Sequence, residues 1–345
     1  MASVAEPDES MFSNPLYRNA PSILGIRACL TPLAAGNTVI LKGSEFSPAS
    51  FWLIASVLHE AGLPAGCLNT VLHRPGEDAV KVTNTLIASP TVRKINFTGS
   101  THVGGIIASL AGKHLKPVLM ELGGKAPSIV CEDADLQKAA RGCAIGSLLH
   151  SGQICMSTER ILVHKSIAPK FKEAFTGAVE QIFGAGKDAP ILVDGAPVVK
   201  NKKLVEDAAR KGAKPIYGDL DASEASKTRM RPVVMEGVEP GMDLYYTESF
   251  GPTVSLIQVE SDEEAIRIAN DTEYGLTSAV FTEDLRRGLK IAKQIETGAV
   301  HINSMSVHDE SALPHGGAKK SGFGRFNSLE GLEEWVRTKT VTWQD

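Results

Sequence analysis

No apolar run in this chain approaches the roughly 18 residues that a membrane-spanning helix needs, so no membrane partner is expected. There is no Cys-x-x-Cys pair and no His-x-x-Glu-His pattern, and the nine histidines are dispersed, so no metal site is expected. The five cysteines, Cys29, Cys67, Cys131, Cys143 and Cys155, are widely spaced and odd in number. That pattern argues against a disulfide framework and suits thiols kept reduced, which makes the cytoplasm the expected location. Positive charge is not in excess: the net charge is −4, which offers nothing to nucleic acid. The opening "MASVAEPDES" has neither the basic and apolar segments of a secretory leader nor the arginines of a transit peptide. No internal repeat or low-complexity tract is present.

The chain has the length for about two domains, with 345 residues of ordinary globular composition, 43% hydrophobic and 22% charged. Strand-like and helix-like segments alternate. "NTVILK" (37–42) reads as a buried strand. "SPASFWLIASVLHEAGLP" (47–64) reads as a helix, with Ser47 placed to cap and Pro48 in the first turn. "VRKINFTGS" runs from a strand into glycine ahead of a helix. "APSIVCE" is a strand, followed by a helix capped by Asp133 or Asp135. Further strand–helix units run to "GAVHIN". The alternation implies an α/β architecture with largely parallel sheets. The tail "VRTKTVTW" (336–343) reads as a strand with no hairpin partner beside it. It is either an edge strand of the same chain or a segment that pairs with another subunit.

Four motifs bear chemistry. In "FTGSTHVGG", Gly99 and Gly104 bracket the opening of a helix, where backbone N–H groups can meet a phosphate; a plain tight turn explains the same residues. In "MELGGKAPSIV", Glu121 follows an apolar run. Apolar surroundings would raise its pKa, which suits a general base, while the alternative is a surface carboxylate before a turn. Cys155 in "HSGQICMSTER" lies on a loop between helix and strand, where a thiolate would be a strong nucleophile; the alternative is a structural cysteine. In "YTESFGPTVSL", Glu248 precedes a turn and a strand, either holding ribose hydroxyls or simply solvated.

Taken together, "YRNAP", "LKGSE", "FTGSTHVGG", "MELGGK", "SGQIC", "ESFGP" and "PHGGAKKSGFGR" occur in that order from about residue 19 to the end. The set resembles the aldehyde dehydrogenase superfamily. "NAPSILGIRA" and "LPHGGAKKSGFGRF" are most similar to its aromatic-aldehyde members, the salicylaldehyde and vanillin dehydrogenases. The resemblance implies Cys155 as nucleophile, Glu121 as base and Asn19 in the oxyanion hole. It implies cofactor contacts at Lys42 and Glu45 (adenosine ribose), at Gly99, Ser100, Gly104 and Leu122, and at Glu248 and Phe250 (nicotinamide side). The implied reaction is oxidation of an aldehyde, aromatic in this branch, through a thiohemiacetal and a thioester. NAD is implied in preference to NADP, because Glu45 would repel a 2′-phosphate. Arg27, two helical turns beyond Asn19, is placed either to attract an acidic substituent of the substrate or as a solvated helix residue. His315 stands where the family commonly has phenylalanine, with no chemistry assigned.

The resemblance also sets expectations about what is missing. Residues 1–122 would be a truncated dinucleotide-binding domain, 123–325 an α/β catalytic domain, and 326–345 a tail with a strand available for homo-oligomerisation. In the family a central strand leads into the asparagine. Here "DESMFSNPLYR" contains Pro15 and no β-rich run, and Tyr17-Arg18 replace the usual Pro-Trp, so the stretch reads as a poor central strand, with closure of the cofactor sheet, the placement of Asn19 and oligomer assembly in question. That leaves open a catalytically silent relative or a cofactor-independent esterase as alternatives.

Overall fold

A computed structural model describes the backbone of residues 2–7 and 11–15, and residues 19–345 apart from 185, 223 and 225. Its strands in chain order are β1 (Ala2–Pro7), β2 (Met11–Pro15), β3 (Val39–Lys42), β4 (Leu68–Val71), β5 (Lys94–Thr98), β6 (Val118–Glu121) and β7 (Ala126–Val130). There follow β8 (Thr158–His164), β9 (Lys214–Tyr217), β10 (Val233–Glu236), β11 (Thr253–Val259), β12 (Thr277–Phe281), β13 (Ala299–Ile302), β14 (Gly322–Phe323) and β15 (Val336–Val341). The chain forms two compact units. One comprises Met1–Leu122, Asp309–Gly316 and Gly322–Asp345, and the other Gly123–His308 and Gly317–Ser321.

In the first unit, six strands run in the order β14-β6-β5-β2-β3-β4, all parallel except β14. The chain builds β2, β3 and β4 outward in one direction, then returns to lay β5 and β6 on the other side of β2. The line between β2 and β5 is therefore a topological switch point, where parallel sheets open a crevice at their carboxyl ends. Val39, Leu41 and Leu68 pack with Phe51, Ile54 and Cys29 of the helices Pro48–Glu60 and Pro21–Ala34. Ile95, Phe97 and Met120 pack with Ile87, Ile107 and Ala111 of the helices Glu77–Ala88 and Thr101–Lys113.

The reading of this stretch as a poor central strand is corrected. Residues 11–15 form β2, which pairs with β3 on one side and with β5 on the other, through Met11↔Lys94 to Pro15↔Thr98. The ladder is made by backbone groups, so a weak side-chain pattern does not forbid it. Pro15 is the last residue of the strand, so its missing N–H falls at the end of the ladder. Tyr17 and Arg18 lie outside the described residues. The tail strand also has a partner: β15 pairs antiparallel with β1 of the same chain, from Ala2↔Val341 to Pro7↔Val336.

The second unit holds a seven-stranded sheet in the order β13-β12-β7-β8-β11-β10-β9, parallel except for β9. Successive side chains alternate between its faces. Ile129, Leu162, Val233, Met235 and Val280 join one core with the helices Gly195–Arg210 and Asp262–Asn270. Val130, Ile161, Val163, Val234 and Phe281 join another with the helices Leu136–Leu148 and Ala168–Phe183. Asp135 caps the helix Leu136–Leu148, accepting from Gln137 and Lys138 N–H at 3.0 and 3.1 Å. Asp133 instead accepts from the Thr282 hydroxyl and the Arg287 guanidinium. Ser47 makes no side-chain cap, although Pro48 does open its helix.

Candidate functional site

In the first unit, the expected cofactor residues sit at the carboxyl ends of parallel strands. Lys42 ends β3 and is buried, and burial lowers its ammonium pKa, opposed by the nearby Glu45. Glu45 follows on the loop. Its Oε2 is buried with no hydrogen-bond partner, 4.0 Å from the equally unpartnered Nε2 of His73, which follows β4. Buried polar atoms are normally satisfied, so these two stand out at the strand ends. Gly99 follows β5, and its N–H donates to the Glu121 carbonyl at 3.1 Å. Ser100 caps the helix Thr101–Lys113 by accepting from Val103 N–H at 3.4 Å, leaving a helix start beside the switch point. Gly104 has its place because Leu122 packs against it: a Cβ there would stand 2.5 Å from Leu122 Cδ2. Asn19 lies half-buried, just ahead of the helix Pro21–Ala34.

Glu121 ends β6 and is 1% exposed, but its surroundings are not apolar. Arg27, on the helix Pro21–Ala34, donates from Nη2 to Glu121 Oε2 and from Nη1 to Asp309 Oδ2 at 3.1 Å. The guanidinium also lies 4.6 Å from the centre of the Phe326 ring. His315 Nε2 is 3.4 Å from Glu121 Oε1. The expectation of apolar surroundings for Glu121 is therefore corrected. A buried carboxylate is costly unless it is paired, and here a guanidinium meets it.

In the second unit, the three loops with expected roles all sit at amino ends of neighbouring strands: Gly123–Lys125 before β7, Cys155 before β8, and Glu248–Phe250 before β11. Cys155 is half-buried in a turn closed by Ser157 N–H donating to the Ile154 carbonyl at 2.8 Å. The next carbonyl, of Met156, accepts from Ser306 Oγ at 2.7 Å. Gln153 Oε1 accepts from Val193 N–H at 3.0 Å on the other flank. Gly124 lies against this turn, since a Cβ at Gly124 would stand 2.1 Å from the Cys155 carbonyl oxygen. The Gly124 N–H donates to Glu248 Oε1 at 2.8 Å, so Cys155 and Glu248 converge on one glycine. By contrast, burial pushes the thiols of Cys29, Cys131 and Cys143 up to about 12, which leaves them poor nucleophiles.

Three residues that the motifs did not single out hold these loops together. The buried Glu159 carboxylate accepts from Ser249 N–H at 2.8 Å and Phe250 N–H at 3.0 Å, and pairs with Lys125 Nζ at 2.5 Å. Lys125 also donates to the Thr247 carbonyl at 2.8 Å. Arg160 donates to the carbonyls of Lys125, Ile268 and Ala269. Phe250 keeps a left-handed backbone, with φ +48°, under this restraint. Burial and the nearby Glu159 push the Glu248 carboxyl up to about 7. A charged pair at the start of β8, Glu159-Arg160 ahead of the apolar "ILV", was the available signal; its partners are distant in sequence.

Among the described residues no group of three or more His, Cys, Asp or Glu is placed to hold a metal ion, and no helix is long and apolar enough to cross a membrane.

Residues 18–341 match the family model described as "Aldehyde dehydrogenase family". The chain is 43% identical to a vanillin dehydrogenase of Pseudomonas fluorescens over 332 residues, which is 95% of this chain and 68% of that protein. It is 42% identical to a salicylaldehyde dehydrogenase of Pseudomonas putida, over 94% of this chain and 67% of that protein. A crystal structure of a salicylaldehyde dehydrogenase from Pseudomonas putida G7, complexed with salicylaldehyde, superposes with a TM-score of 0.92 at 40% identity, covering 98% of this chain and 70% of that one.

Proposed function

Because the chain belongs to the aldehyde dehydrogenase family of NAD(P)-dependent oxidoreductases, we propose that it oxidises an aromatic aldehyde to its acid with NAD, by covalent capture on Cys155. The observation that carries this is the seat of Cys155. It is a half-buried thiol on a pinned turn, held against Gly124 at the amino edge of a parallel sheet, while Cys29, Cys131 and Cys143 are buried with thiols pushed up to about 12.

The proposed chemistry begins with the Cys155 thiolate attacking the carbonyl carbon to give a thiohemiacetal. The side-chain N–H of Asn19 and the backbone N–H of Cys155 donate to the oxygen that becomes charged, each worth about 3 to 4 kcal/mol in such sites. When bound, the nicotinamide supplies the acceptor for the hydride that the captured aldehyde loses. Glu121 then takes a proton from water as the water oxygen attacks the resulting thioester, and the Cys155 thiolate leaves.

The residues at the carboxyl ends of the first unit's strands suit a dinucleotide. The orphaned Glu45 Oε2 is an acceptor for adenosine ribose hydroxyls and would repel a 2′-phosphate, which favours NAD. Lys42 stands beside Glu45 on that ribose. The helix start that follows Gly99 and Ser100, with Gly104 behind it, presents its positive end to the phosphates, and Leu122 lines the same side. Glu248 and Phe250 take the nicotinamide side, with Glu159 and Lys125 fixing their turn.

The test is NADH formation with benzaldehyde, salicylaldehyde and vanillin under reducing conditions. The expected result is turnover that Cys155→Ala abolishes. Absence of NADH with every aldehyde, or turnover that survives Cys155→Ala, overturns the proposal.

A further inference from the structure

Glu121 is bracketed by groups from two segments of the first unit. Arg27 comes from the helix Pro21–Ala34 and bonds Oε2, and His315 comes from the segment Asp309–Gly316 and faces Oε1 at 3.4 Å. Asp309 stands behind both, with Oδ2 accepting from Arg27 at 3.1 Å and Oδ1 3.9 Å from His315 Nδ1. Asp309 is itself held by Asn327 Nδ2 at 2.6 Å. His315 is 5% exposed, its Nε2 has no hydrogen-bond partner, and its backbone exchanges hydrogen bonds with Phe326, the residue whose ring backs the Arg27 guanidinium. The bracket is thus built on a bridged backbone pair.

We propose that Arg27 and His315 are positioning residues for Glu121: they bracket its two oxygens, fix the carboxylate's direction, and keep it ionised so that it remains a base on the acid side of neutrality. This rests on the reading of Glu121 as the base. A buried carboxylate with no cation beside it would protonate early, and an opposite charge within about 4 to 6 Å lowers a carboxyl pKa by about 1 to 3 units. Arg27 is the stronger member because its charge is permanent. His315 is the weaker member, a polar ring whose Nε2 faces the second carboxylate oxygen at 3.4 Å. The net effect includes Asp309, which partly offsets the guanidinium charge but also holds Arg27 in place.

The experiment is the pH profile of kcat at saturating aldehyde and NAD for wild type, Arg27→Gln, Arg27→Lys and His315→Phe. In Arg27→Gln the acid limb is expected to move up by at least about one pH unit, a tenfold loss below the limb with the alkaline plateau kept within a few-fold. Arg27→Lys, which retains the charge, is expected to restore most of the shift, and His315→Phe to show a smaller shift in the same direction. A uniform loss at every pH, or a limb that stays in place in Arg27→Gln, overturns the proposal. Infrared titration of the Glu121 carboxylate band, identified by difference against Glu121→Gln, gives the same answer without turnover. An unmoved band in Arg27→Gln overturns the bracket, whereas full turnover in Glu121→Gln overturns the reading of Glu121 as the base.

Discussion

Gly124 and Cys155 touch through the backbone: a Cβ on the glycine would stand 2.1 Å from the cysteine's carbonyl oxygen. No side chain other than hydrogen fits that approach, and the same Gly124 N–H holds Glu248 at 2.8 Å. Substituting Gly124→Ala is expected to push the cysteine turn aside. The stability cost is about 1 to 3 kcal/mol, in the range of overpacked sites. A displacement of about 1 Å at a reacting atom costs about a hundredfold in kcat. Thermal unfolding together with steady-state kinetics checks both, and an alanine variant with wild-type kcat would count against this contact as the cysteine's seat.

Glu159 carries four contacts at once, to Lys125, Ser249 and Phe250. Glu159→Gln leaves the fully enclosed Lys125 ammonium without its charge partner, which costs about 3 to 5 kcal/mol in buried pairs. Urea unfolding measures it. The same change removes a carboxylate that helps to raise Glu248, so the Glu248 pKa is expected to fall.

Glu248 itself makes stability depend on pH. Its folded-state pKa, about 7, lies above the ordinary value of 4.5. The folded state then binds more protons than the unfolded one across that window. This contribution is complete below about pH 4.5 and is lost as the pH rises through 7, by up to about 3 kcal/mol. Unfolding free energies of wild type and Glu248→Gln are expected to diverge between pH 4.5 and 8, wild type losing up to about 3 kcal/mol relative to the variant, and a flat difference would refute it.

Glu45 governs cofactor choice in the proposed function. Glu45→Gln removes the charge facing a 2′-phosphate and is expected to raise kcat/KM for NADP relative to NAD by about tenfold, or about 1.4 kcal/mol. Parallel assays with the two cofactors decide it. An unchanged ratio would place discrimination elsewhere.

Local features were readable along the chain because they depend on neighbours in sequence. Pro48 opens its helix, Asp135 caps the next unit's first helix, and β5 and β7 are strands where "VRKINFTGS" and "APSIVCE" read as strands. The strand β2 was not readable. Five residues ending in proline carry too little side-chain pattern, and the strand exists through ladder bonds to β3 and β5, which lie 28 and 83 residues further on by Met11↔Val39 and Met11↔Lys94. For the same reason Arg27 read as a solvated or substrate-facing residue, although its carboxylate partner lies 94 positions away.

The sequence by itself determined which chemical groups are available: one thiol on a polar loop, a carboxylate before paired glycines, and glycines at strand ends. Those are covalent facts, and their order sufficed to identify the family. Only the tertiary structure decided how charged groups are paired. Arg27 and His315 bracket Glu121, and Glu159 gathers Lys125 with the Ser249–Phe250 turn. Buried charges must find partners wherever packing delivers them, and that pairing leaves no periodic trace in the chain.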